Sequence, residues 1–130
     1  MKKYLLLFLL LGSVLPGFAQ GRDTVFAVRK LFREKRGNGE SMLATADTIR
    51  ARNEYAQRSG ARPSAQEARQ DALASTVFVG IGAAKVSRYS AENETAIIRQ
   101  YREGAAIPPD IRRKLRRKHF HVTARDVVAP

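Results

Sequence analysis

Only one stretch of this chain, Thr76 to Ile81, is dense enough in β-branched residues to compete as a strand. An isolated strand cannot satisfy its own backbone N–H and C=O groups, and no second strand-like run is visible to pair with it. Helix is therefore preferred at 76–81 as well. The expectation is an all-α fold, a small bundle of four to five helices set off by turn residues.

Those helices can be placed from caps and apolar spacing. Asp23 can cap a first helix to about Arg36, with Val25, Val28, Leu31 and Phe32 on one stripe. Gly37-Asn38-Gly39 reads as its stop, because glycine and asparagine tolerate positive φ. A second helix runs from Ser41 to Arg58, ended by Gly60 and Pro63. Ser64-Ala65-Gln66-Glu67 has the capping-box spacing, in which the serine oxygen accepts a free N–H and the glutamate reaches back. The third helix opens there, and its uncharged half, Ala72 to Ala84, is too short for a membrane span and fits a buried core helix. Gly80 and Gly82 weaken it unless a neighbouring helix comes close.

Ser90 caps a fourth helix to Glu103, with acids in its first turn, arginines in its last and Gly104 as the residue beyond its C-cap. Pro108-Pro109 leads into a fifth helix near Asp110, which carries six basic residues in the eight from Ile111 to Lys118. The expected core centres on Phe32, Val77, Phe78, Ile81, Ile98 and Tyr101.

Ahead of these elements, Lys2 and Lys3, the apolar run through Val14 and the sequence Gly17-Phe18-Ala19 have the layout of a secretory signal peptide. The domain reading is a signal peptide over 1–19, cleaved after Ala19, a helical domain over 20–120 and a loose tail over 121–130. The apolar run is too short to span a bilayer, so the mature chain is expected to have no transmembrane helix and to be exported, periplasmic or secreted. Loss of Lys2 and Lys3 with the signal takes the formal charge from +12 to +10. Without any cysteine there is no disulfide, thiolate metal site, cysteine nucleophile or lipoprotein anchor.

Taken with Ser87-Arg88-Tyr89-Ser90-Ala91, the block from Ser90 to Phe120 resembles small exported proteins of Bacteroidota. They share a serine-capped helix ending Tyr-x-x-Gly, a proline spacer and a basic helix closing on His-Phe. Their signals end in a similar Gly-Phe-Ala-Gln. The resemblance implies export and a helical fold, and carries no activity with it.

The chemistry-bearing residues do not assemble a catalytic centre on paper. No Gly-x-Ser-x-Gly occurs, and Glu92 and Glu94 point to different faces of one helix. Gly80-Ile81-Gly82 lacks the third glycine and the preceding strand of a dinucleotide loop. His119 and His121 could share an ion on one side of an extended chain, yet a stable metal site needs three or four ligands. No catalytic residue, metal or cofactor is assigned, and the reading leans away from an enzyme.

The basic run is the feature with functional reach. Arg112, Arg113, Lys114, Arg116, Arg117 and Lys118 are the anion-binding candidates, suited to an anionic lipid or glycolipid surface, with Ile111 and Leu115 as an apolar seam. The opposing reading is a solvated charged face. Export and the lack of interleaved aromatics argue against nucleic acid. The expected role is binding or structural, at the cell envelope. The alternatives are an enzyme whose site is assembled from scattered residues, or a polyanion binder acting on extracellular nucleic acid.

Overall fold

The computed structural model describes residues 16–124 and 126, so the first fifteen residues of the expected signal peptide lie outside the described part. Among the described residues every regular element is helical. Helix α1 runs over Pro16–Arg58, α2 over Ala65–Arg88, α3 over Ala91–Arg102 and α4 over Pro109–Arg112, followed by a 3-10 turn over Arg117–Phe120. The chain divides into two compact units. One is formed by Phe32–Thr95; the other holds the residues up to Leu31 and those from Ala96 onward.

In the Phe32–Thr95 unit, α1 and α2 run antiparallel, as the pairings of Gly39 with Gly82 and of Arg52 with Asp71 require. The stop expected at Gly37-Asn38-Gly39 does not occur, and α1 passes straight through it. Positive φ is found at Gly60 and Gly104 among the described residues, not at Gly39. Gly39 meets a different need. A Cβ there would stand 2.9 Å from the Gly82 carbonyl oxygen, and one at Gly82 would stand 2.9 Å from the Gly39 oxygen. The two glycines let the helix backbones touch, which is the compensation expected for Gly82. Gly80 has nothing within 4 Å of a built Cβ and takes no part.

The ends of α2 follow local chemistry. Ser64 Oγ accepts from the Glu67 N–H while the Glu67 carboxylate accepts from the Ser64 N–H at 2.9 Å. The Ser64 backbone N–H, and then the Ser64 hydroxyl donating to the same carboxylate at 2.8 Å, hold Glu67 below the usual carboxylate range. At the other end, Asn93 Nδ2 donates to the Ser87 and Arg88 carbonyls, and the Asn93 N–H donates to Ser90 Oγ, tying α2 to the start of α3. Tyr89 sits in this corner, 3% exposed, its ring meeting Phe32 edge-on at 5.1 Å.

The uncharged half of α2 is not a buried core helix. Leu73, Val77 and Ile81 are 68%, 54% and 44% exposed, while Ser75 and Gly82 are buried and Phe78 is half-buried. Burial follows position around the helix: 75, 78, 79 and 82 share the inner face, and 73, 77 and 81 fall opposite. Lack of charge marked a helix able to be buried all round, and this one is covered on one side. Of the expected core, Phe32 and Ile98 are buried, Phe78 and Tyr101 are half-buried, and Val77 and Ile81 are exposed.

In the other unit, the buried side chains are Ala27, Val28 and Leu31 of α1, Ile98 of α3, and Ile107, Ile111 and His119 beyond it. Helix α3 closes in a Schellman pattern. The Gly104 N–H donates to Tyr101 O and the Ala105 N–H to Gln100 O, with Gly104 at φ 95°. Pro109 at the first position of α4 brings a fixed φ and no N–H to leave unsatisfied.

Candidate functional site

The six basic candidates lie between two buried side chains. Ile111 is 3% exposed and His119 is 1% exposed, and five of the seven residues between them are exposed. Arg112, Arg113, Arg116, Arg117 and Lys118 are exposed, with Lys114 half-buried. The apolar seam of Ile111 and Leu115 points inward, so it fastens the segment to its unit and leaves the charges outside.

The single basic helix expected from Asp110 through Lys118 is not formed. Helix α4 ends at Arg112, Arg116 is extended at φ −116° and ψ 161°, and a 3-10 turn restarts at Arg117. A continuous helix would set Arg112 over Arg116, Arg113 over Arg117 and Lys114 over Lys118. Each like-charge pair at that spacing costs about 0.2–0.5 kcal/mol. The break relieves them, and His119 secures it: its Nδ1 accepts the Arg116 N–H at 2.8 Å. His119 thus satisfies the backbone N–H at the start of the turn.

That bond also occupies His119 Nδ1, one of the two ring nitrogens through which a histidine can ligate a metal. His119 is buried while His121 is exposed, so the two rings do not face one common site. Among the described residues no group of three or more histidine, cysteine or carboxylate side chains converges.

Two exposed apolar residues follow the basic run and are not among the candidates expected from sequence. Phe120 is 41% exposed and Val122 67% exposed, directly after the basic run. His121 between them is extended at φ −104° and ψ 132°, which sets residues 120 and 122 on the same side of the chain. The signal available is the alternation Phe120-His121-Val122 itself, which the expected boundary between the domain ending at 120 and the tail beginning at 121 divides.

A clasp from α1 holds this part of the chain. Lys30 Nζ donates to the His121 carbonyl oxygen and to Asp126 Oδ2, both at 2.7 Å. Asp126 Oδ2 also accepts from the Thr123 N–H at 2.8 Å and from Thr123 Oγ1 at 2.6 Å. The Lys30 hydrogen bond, then those of Thr123, push the Asp126 carboxyl far below the ordinary aspartate value. Phe120 and Val122 are therefore presented on a backbone fixed at His119 and at His121.

The α1–α2 pair carries an open groove of about 350 Å³, lined by Arg50, Asn53, Glu54, Asp71 and Ser75 among others. Its carboxylates are already engaged, Asp71 with Arg52 at 2.6 Å and Glu54 with Arg58 at 3.7 Å.

Among the described residues no helix is long and apolar enough to cross a membrane. Compared with known proteins, the chain matches no family model, no curated protein and no solved structure.

Proposed function

We propose that this is an exported, non-catalytic binding protein that engages an anionic component of the cell envelope through Arg112, Arg113, Lys114, Arg116, Arg117 and Lys118. One observation carries the reading: five exposed cations fall within seven residues, on a segment pinned at both ends by the buried side chains of Ile111 and His119. Pinning matters because it lowers the conformational entropy lost when a partner binds. Four of the six cations are arginines, whose planar forks suit phosphate and carboxylate oxygens.

Export rests on the residues at 1–19. Mass spectrometry of protein from the native host is expected to find the N-terminus at Gln20 or Gly21, and an intact Met1 on envelope-extracted protein would refute it. The binding is tested by titrating the protein with inorganic polyphosphate. Affinity should fall steeply as salt rises, because cations meeting phosphates release counterions. Replacing Arg112, Arg113, Arg116 and Arg117 together by glutamine should weaken binding at least tenfold. No binding at low salt would mean that the charged face is only solvated.

A further inference from the structure

We infer that the ridge docks on an anionic lipid bilayer, with Phe120 and Val122 entering the interface beside the cations. The inference rests on the reading of 112–118 as an anion-binding ridge and adds what kind of anion it meets. A polyanion with no apolar or aromatic surface of its own, such as polyphosphate, gives no reason to hold apolar side chains in water next to the cations. A bilayer interface takes both at once: headgroup phosphates for the arginines, and the apolar boundary beneath them for an aromatic and an aliphatic side chain.

The arrangement is built, not left over from a frayed end. His119 is buried with its Nδ1 bonded to the Arg116 N–H. The His121 carbonyl is held by Lys30 Nζ. Phe120 lies between these two anchors and is still 41% exposed, and Val122 stands on the same side with 67% exposed. Ile111 and Leu115, the residues a membrane-lying helix would have used, are turned inward, so the apolar contribution passes to Phe120 and Val122.

The chain contains no tryptophan, so Phe120→Trp installs a lone reporter. With vesicles of phosphatidylglycerol and phosphatidylcholine, its emission should shift to the blue and be quenched by lipids brominated along their acyl chains. Neutral phosphatidylcholine vesicles should cause no shift. Leu73→Trp, on the exposed face of α2, should stay water-like in both. The double variant Phe120→Ser with Val122→Ser should lose at least tenfold in affinity for anionic vesicles and keep its affinity for polyphosphate. Wild-type protein that binds polyphosphate but not vesicles overturns the inference and leaves the ridge standing. Binding to neither probe removes the ridge itself. Equal losses on both probes in the double variant, or a blue shift at Leu73→Trp in place of Phe120→Trp, also overturn the inference.

Discussion

Phe32 is the largest of the wholly buried side chains among the described residues, and Val77, its companion in the expected core, is 54% exposed. Phe32→Ala should therefore cost about 3–5 kcal/mol in urea unfolding, through lost burial and the cavity left beside Tyr89. Val77→Ala should change stability by no more than about 0.5 kcal/mol, as exposed substitutions do. A large cost at Val77 would place α2 deeper than described. Lys30 and Asp126 give a second residue-level prediction. Asp126 is depressed in the folded state, so the clasp is complete above the unfolded aspartate value of about 3.9 and is lost as pH falls through the lower folded value. Hydrogen exchange at the Thr123 amide, which bonds Asp126, should be unaffected between pH 5 and pH 7 beyond the intrinsic rate. Asp126→Asn or Lys30→Ala should speed it at neutral pH.

At the scale of elements, the legible features were those whose cause lies within a few residues. Ser64 with Glu67, Ser90 with the Asn93 N–H, Gly60 and Gly104 at positive φ, and Pro109 at the head of α4 each act within one turn. Gly39 shows the opposite case. Its reason is Gly82, on another helix, and nothing in Gly37-Asn38-Gly39 distinguishes a turn from a close helix crossing. The basic run was misread for a related reason, since its two apolar residues looked like a helical seam while like-charge repulsion and the His119 bond broke the helix between them. Three of the glycines in these helices make a direct test. Gly39→Ala and Gly82→Ala each force a Cβ to 2.9 Å from a facing carbonyl oxygen and should destabilise the protein. Gly80→Ala meets open space and should stabilise it by about 0.4–1 kcal/mol through helix propensity and a less free unfolded chain. Similar melting temperatures for all three would remove the glycine contact from the fold.

At the scale of the whole molecule, the charge is the dominant fact, +12 on the full chain with six of its 24 lysines and arginines inside seven residues. Concentrated like charge disfavours the compact state, so a charged ridge is held by the rest of the fold and does not itself hold the fold together. Exposure agrees with this, because Arg112, Arg113, Arg116 and Arg117 bury little surface that their loss could uncover. Replacing the four by glutamine should therefore leave the melting temperature equal to or above that of the unaltered protein at about 0.01 M salt, where charges act over about 30 Å. The difference should close near 1 M salt, where the range falls to about 3 Å. Polyphosphate at about a hundred times its dissociation constant should stabilise the unaltered protein by about 2.7 kcal/mol and the glutamine variant, at least tenfold weaker in binding, by no more than about 1.4 kcal/mol. The paired measurement separates two roles that a binding assay alone would confuse. A variant that melts lower than the unaltered protein at every salt concentration would make the arginines part of the scaffold, and its lost binding would then report damage to the segment rather than removal of a site.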